Sequence, residues 1–189
     1  MKASKLFVIS GPSGAGKGTL VSRIRALRPD LALTISATTR KPRAGEVDGR
    51  DYFFLTREHF DELVAQNGFV EWAEVHNNKY GTLVSEVNQK LKDGHSLILE
   101  IDPQGAFQVK QNIHDAVLIF IKPPSEEVLQ QRLRARGTET EEEIQVRLAN
   151  MPKELEASKH YDVVIENNTL ERAVEDLLAA LESYEQKSE

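Results

Sequence analysis

The run from Leu6 to Leu20, LFVISGPSGAGKGTL, constrains this chain more than any other stretch. Five mostly apolar, strand-like residues lead into a loop holding Gly11, Gly14, Gly16 and Lys17, and a helical pattern follows at once. The order is close to the G-x-x-x-x-G-K-[ST] phosphate loop. A phosphate chain must be wrapped by backbone N–H groups, and a Cβ obstructs that approach, so glycines recur. The helix opening near Lys17 turns unpaired N–H groups and the positive end of its dipole toward an anion. Lys17 adds a full charge at the outer phosphates. A mere turn between strand and helix would need neither the lysine nor this order. One position departs from the pattern: Gly18 follows Lys17, and Thr19 comes next. The usual hydroxyl ligand of Mg²⁺ is therefore missing or displaced by one residue.

With 189 residues, 40% of them hydrophobic, the chain can form one compact core with appended lobes. A net charge of −6 leaves no general basic footprint for nucleic acid, so anions must be met by local clusters. The absence of cysteine excludes disulfides and thiolate metal sites and fits a reducing compartment. Lys2 and Lys5 precede an apolar run too short for a signal sequence or a bilayer span. A cytoplasmic protein is expected, with no nucleic acid, membrane or obligate protein partner.

Short, non-alternating apolar runs at Leu6–Ser10, Leu31–Ser36, Ser96–Asp102, Ala116–Ile121 and Asp162–Ile165 alternate with helical patterns. They argue for an α/β fold whose parallel sheet carries helices on both faces. Tyr52–Leu55 and Phe69–Val75 read as further strands, residues 36–43 as a loop, and Asn77–Lys79 as a turn. Thr56, Ser125 and Thr140 are placed to cap helices, the last in a capping box with Glu143. Asn168 with Glu171 is placed to start the final helix. Pro152 is expected to kink or interrupt its helix. In such sheets ligands bind beyond the carboxyl ends of the strands, where the glycine loop, Asp102 and Asn167 all fall.

Four groups could carry chemistry beside the loop. Arg40 and Arg43 flank Pro42, either as a solvated basic loop or as a fork on a second phosphate. Glu71 interrupts an apolar strand, either exposed or as a reader of polar ligand edges. Glu100 and Asp102 end a buried strand, either in a local ion pair or opposite the phosphate loop beside Mg²⁺. Arg132 and Arg136 share a helical face, with Arg147 further on; a helix alternating Leu and Arg is also simply amphipathic. The five histidines lack metal-ligand spacing, and Trp72 reads as core.

SGPSGAGKGTL, SATTRKPRAGEVDGRDY, FVEWAEV, KYGT, LILEIDPQG and RARGTETEEEIQVRL occur in that order. Together they closely resemble a guanylate kinase, from about Leu6 to the last helix. The resemblance implies a parallel-sheet P-loop kinase core (residues 1–35, 94–124 and 151–189), an inserted GMP-binding lobe (36–93) and a helical lid (125–150). It implies transfer of a phosphoryl group from ATP to GMP, and to dGMP as well, with Mg²⁺. Gly11, Pro12, Ser13, Gly14, Ala15, Gly16, Lys17, Gly18 and Thr19 would hold the ATP phosphates, and Asn167 would lie near the adenine. Ser36, Glu71, Thr82 and Glu100 would lie in or near the guanine pocket, with Asp102 close by. Arg40, Arg43, Tyr52 and Tyr80 would hold the GMP phosphate. Lys17, Arg132, Arg136 and Arg147 would act on the transferring phosphoryl. With Gly18 after Lys17, the direct protein ligand of Mg²⁺ stays open; ATP phosphates and water would hold the ion, with Asp102 behind them. The loop Gly16-Lys17-Gly18-Thr19 also resembles that of adenylate kinases. A different small kinase, acting on AMP or a sugar phosphate, and a non-enzymatic guanylate-kinase-like binding module are the competing readings. The Glu71 carboxylate and the paired arginines speak against the first, and intact Lys17 against the second.

Overall fold

The structure is a computed structural model that describes residues 3–137 and 139–186. Its organising strand, β1 (Leu6–Ser10), lies in the middle of a five-stranded sheet. The order across the sheet is β2 (Ala32–Leu33), β7 (Leu97–Glu100), β1, β8 (Val117–Lys122) and β9 (Val163–Glu166), every pair parallel. Apolar residues run continuously because both faces are covered. Phe7, Ile9, Ile98, Val117, Ile119 and Ile121 pack toward α1 (Lys17–Leu27) and α7 (Leu170–Gln186). Leu6, Val8, Leu97, Leu99, Leu118 and Phe120 pack on the other side, toward α3 (Val84–Lys92) and α4 (Pro103–Asn112). Each such buried side chain contributes roughly 1.5–3 kcal/mol of transfer free energy. The chain leaves β1 to one side of the sheet and returns to the other, so β1 sits at a topological switch point with its carboxyl end facing an open crevice.

A second sheet of four strands stands apart, in the order β4 (Phe53–Phe54), β3 (Ala37–Thr38), β6 (Asn78–Leu83) and β5 (Phe69–Val75). The β3–β4 pair is parallel and the others antiparallel. It has its own small core, where Phe60 of α2 (Arg57–Ala65) stacks on Phe69 with ring centroids 4.3 Å apart. Helices α5 (Glu126–Arg136) and α6 (Glu141–Ala157) close on each other through Leu129, Leu133, Ile144, Leu148 and Met151. Leu155 touches both this cluster and the core of the parallel sheet. Among the described residues, no helix is long and apolar enough to cross a membrane.

The helix caps at Thr56, Ser125 and Thr140 form as the sequence predicts, the last as a full capping box. Four expectations need correction. Of the kink or interruption expected at Pro152, the interruption does not occur: helix α6 continues through it, with Leu148 and Met151 buried in the turn before. Thr169 starts α7 in place of Asn168, its hydroxyl and carbonyl meeting the N–H groups of Arg172 and Ala173. The turn before β6 centres on His76 and Asn77, both at positive φ, one residue early. The expected strand over 31–36 shrinks to Ala32–Leu33, and the expected loop contains β3. That strand exists because Ser36 and Thr38 carbonyls accept the Phe53 and Leu55 N–H groups at 2.9 Å, a tertiary pairing with no local sequence signal.

Candidate active site

The glycine loop connects β1 to α1 at the carboxyl end of the parallel sheet. Gly16 is the N-cap of α1 and has φ of 88°, a left-handed conformation that a side chain disfavours. A Cβ there would also overlap Asn167 Nδ2. No side chain caps α1 and no acid sits in its first turn, so its leading N–H groups remain available to an anion. Lys17 Nζ donates to the carbonyls of Gly11 (2.6 Å) and Pro12 (3.0 Å), which folds the ammonium back over the loop. Burial pulls the Lys17 pKa below its usual value, against the opposing pull of Glu100, Glu154 and Asp102.

This loop forms the floor of a cavity of about 710 Å³. Ser13, Gly14 and Gly16 to Thr19 line it, together with Glu100, Arg132, Arg136 and Asn167. Pro12 turns the loop by accepting the Ala15 N–H at 3.1 Å, while Gly11 and Ala15 lie buried beneath it. Asn167 follows β9 and is 5% exposed; its Nδ2 donates to the Ala15 carbonyl at 2.7 Å, bracing the loop from below. Arg132 Nη2 donates to the Asn167 carbonyl at 2.9 Å, so one arginine of α5 is tied to the same brace. Arg147 lies on α6, 3.4 Å from a Glu139 carboxylate oxygen, and its charge is felt at Lys17.

The two acids at the end of β7 part company. Glu100 is paired in register with Ile9 and faces α1: an ideal Cβ on Gly18 would stand 3.7 Å from Glu100 Oε1. Asp102 caps α4, accepting the Gly105 N–H at 2.8 Å, and lines a second cavity. That cavity, about 220 Å³, lies between β5 and α4, with Glu71, Trp72 and Ala73 on one wall and Gln104, Gly105 and Gln108 on the other. The sequence reading puts both acids in or near the guanine pocket, Asp102 also behind the metal; here Asp102 lines the cavity of Glu71, and Glu100 is the carboxylate beside Gly18.

Glu71 is held by the mainly buried Thr82, whose hydroxyl donates to Glu71 Oε1 at 2.7 Å. Thr82 sits directly across from Glu71 in the β5–β6 ladder, so the two side chains share one face of the small sheet. Ser36 directly precedes β3 of the same sheet. Burial raises the Glu71 pKa above the usual carboxylate range; the Thr82 hydrogen bond opposes this and the Asp102 charge adds to it.

Arg40 leaves β3 in the same lobe. Its Cζ lies 5.4 Å from the Tyr52 ring centroid and 5.8 Å from that of Phe54. Tyr52 meets Tyr80 edge-on at 6.3 Å. Arg40, Tyr52 and Tyr80 thus form one cluster, with Arg43 three residues along the same loop. The Arg43 guanidinium makes no hydrogen bond or ion pair among the described residues.

The sequence reading missed several polar groups here. Glu46 pairs with Arg40. Glu154 has a buried oxygen without a hydrogen-bond partner among the described residues, and its charge couples to Lys17 and Arg147. Gln108 Oε1 accepts the Trp72 N–H at 3.1 Å. The only sequence signal was an acid in a basic loop for Glu46, and for Glu154 its position seven residues after Arg147, two turns along one helix face.

Two cavities, one floored by a helix N-terminus with a lysine and the other walled by the half-buried Glu71 carboxylate, share Asp102 within electrostatic reach of both. Such a layout suits transfer between two bound phosphates, and the fold that creates it is a P-loop kinase fold. The guanylate kinase family model matches residues 3–184. Similar relatives include a guanylate kinase of Fusobacterium nucleatum, 50% identical over 183 residues and spanning 97% of this chain and 98% of that one. Another, from Caldanaerobacter subterraneus, is 47% identical over 180 residues, 95% of this chain and 87% of its own. The crystal structure of guanylate kinase from Anaplasma phagocytophilum superposes with a TM-score of 0.70 at 31% identity, covering 100% of this chain and 89% of that one. The chain belongs to the guanylate kinase family. Guanylate kinases are ATP:GMP phosphotransferases, and this chain is an enzyme of that class.

Proposed function

We propose that the chain transfers the terminal phosphoryl of ATP in line to the phosphate of GMP, and of dGMP, with the larger cavity taking ATP and the smaller one guanine. The observation that carries this reading is Glu71, a half-buried carboxylate oriented by Thr82 across the ladder, with Ser36 directly before β3 of the same sheet. Guanine offers N1–H and an exocyclic amino group side by side, and an ionised carboxylate accepts both. Ser36 donates to guanine O6, and Asp102 stands beside Glu71. Arg40, Arg43, Tyr52 and Tyr80 hold the GMP phosphate. The loop from Gly11 to Thr19 takes the ATP phosphates on backbone N–H groups, with Asn167 bracing it on the adenine side. Residues 36–93 act as the GMP lobe, 125–150 as the lid, and the rest as the core.

The GMP phosphate is already ionised, so the reaction needs no strong general base. It needs charge neutralised as phosphoryl oxygens separate from one phosphate and approach the other, and Lys17, Arg132, Arg136 and Arg147 supply this. Lid closure over the crevice excludes water that would otherwise hydrolyse ATP. The donor set fits a Mg²⁺ ion held mainly by phosphates and water: Gly18 offers no hydroxyl, Glu100 stands beside it, and the described residues contain no cluster of three metal-ligating side chains. Bound there, Mg²⁺ would supply Lewis-acid charge on the ATP phosphates. A coupled assay of ADP formation with GMP, dGMP, IMP, AMP and CMP tests the assignment; equal rates across the panel would refute it.

Two further results are expected. Arg40→Ala or Arg43→Ala should lower kcat/KM for GMP by about 2–3 kcal/mol, roughly 30- to 150-fold, as a charged hydrogen-bond partner is lost. ATP affinity measured by calorimetry without GMP should hold; its collapse would move these arginines to the other site. The second result is a pH profile. Burial keeps Glu71 protonated to a higher pH than an ordinary carboxyl, and only the ionised form accepts both guanine donors. As pH falls through that raised pKa, kcat/KM for GMP falls with it. Glu71→Gln should remove this acid limb while leaving the limb that belongs to the GMP phosphate itself. A superimposable profile in the variant would assign the limb elsewhere.

A further inference from the structure

The loop that carries Arg40 and Arg43 also carries an acid. Glu46 Oε1 accepts from Arg40 Nη2 at 2.8 Å, and Glu46 Oε2 accepts the main-chain N–H of Arg43 at 2.7 Å. The Glu46 N–H returns to the Arg43 carbonyl at 3.1 Å, closing a reciprocal turn. The pair is not an ordinary surface contact: the Arg40 and Glu46 side chains are only 16% and 21% exposed. An acid beside a phosphate-binding cluster lowers its net positive charge, so its presence calls for a compensating role. The remaining contacts of Arg40 indicate one. Nη1 donates to the Lys41 carbonyl at 2.8 Å, and the guanidinium lies against the Tyr52 and Phe54 rings. Tyr80 also hydrogen-bonds to the guanidinium, so Glu46, the Lys41 carbonyl and Tyr80 hold it while part of its five-donor fork stays open to an outside anion.

We propose that Glu46 is a positioning residue for the GMP phosphate: its carboxylate bridges the Arg40 side chain and the Arg43 main chain, fixing both arginines as one preformed anion-binding unit. The inference rests on the reading that these arginines bind that phosphate. Arginine loses much rotamer freedom on binding, and a planar fork already held by Glu46 loses less. The two donors also hold the Glu46 carboxyl below the usual carboxylate range, so the bridge stays charged at neutral pH. The residue acts through Arg40 and Arg43 and touches no reacting atom.

Steady-state kinetics on the full chain, with thermal melts as a folding control, test this. Glu46→Gln should raise KM for GMP about tenfold, as a charge-assisted hydrogen bond is lost, while changing KM for ATP and kcat by less than about threefold. Glu46→Asp keeps the charge but is one methylene too short to span both partners, so KM for GMP should rise about threefold; this variant decides the matter if the Gln form does not fold. In an Arg40→Ala background, adding Glu46→Gln should change KM for GMP by less than about threefold, since the two act as one unit. If Arg40→Ala raises KM for GMP but neither Glu46 variant does, the positioning role is overturned while the phosphate reading stands. A lower KM in Glu46→Gln also overturns it and makes the carboxylate a competitor of phosphate. If Arg40→Ala itself leaves KM for GMP unchanged, the phosphate reading fails and takes the inference with it.

Discussion

Replacing Lys17 with methionine lowers kcat by roughly a hundred- to a thousandfold, the loss expected when a preorganised charge is removed from a transition state. The ammonium reaches the loop carbonyls of Gly11 and Pro12 and lies where α1 turns its leading N–H groups to the cavity. Two neutral carbonyls are weaker partners for it than phosphate oxygens, and weakest relative to oxygens that gain charge during transfer. The variant should melt no lower than the parent. Burial depresses the Lys17 pKa, which means that the folded state disfavours the desolvated ammonium, a cost that methionine does not carry. A loss of turnover with Tm unchanged or raised therefore separates catalysis from folding. Near-normal turnover would remove the loop from the mechanism.

The largest effect concerns the base. Adenine has an acceptor at N1 where guanine has a donor, so with AMP the Glu71 carboxylate would face a lone pair in a buried pocket. Sites built on such pairing reject the wrong partner by roughly 10⁴-fold, because the polar group left behind is desolvated without a partner. GMP should turn over strongly, IMP, which lacks the amino group, more weakly, and AMP almost not at all. Glu71→Gln offers one acceptor and one donor. It should lower activity with GMP and narrow the preference for GMP over IMP. Comparable kcat/KM for AMP and GMP in the parent protein, or an unchanged GMP-to-IMP ratio in the variant, would end the assignment of Glu71 as the guanine reader.

The parallel sheet was legible because burial on both faces leaves unbroken apolar runs, as in Ala116–Ile121, and because caps such as Thr140 with Glu143 are local chemistry. The small sheet was less so. β3 and β4 are two residues long each and exist through hydrogen bonds to distant strands, and Gly81 interrupts any alternation in β6. The glycine loop announced its own position. The division of Glu100 from Asp102 did not: two residues apart at a strand end, they turn toward different cavities because Asp102 is recruited as the cap of α4. Glu46 and Glu154 were invisible for a similar reason, since their meaning lies in what the fold sets opposite them.

The cluster between α5 and α6 has a mechanical consequence. Leu129, Leu133, Ile144, Leu148 and Met151 satisfy one another, and Leu155 joins them to the main core. At the other end the hairpin rests on the glycine loop, where a side chain at Gly14 would come within 2.9 Å of Leu129 and Leu133 methyl carbons. A block with its own interior, joined to the core by one leucine and by the Arg132–Asn167 hydrogen bond and seated on a bare glycine, has a seam along which it can tilt without opening the core beneath it. On the proposed reading, Arg132, Arg136 and Arg147 would then travel as a set. Their spacing would be cast once, when the hairpin folds, and closure would change only the distance between that set and the phosphates.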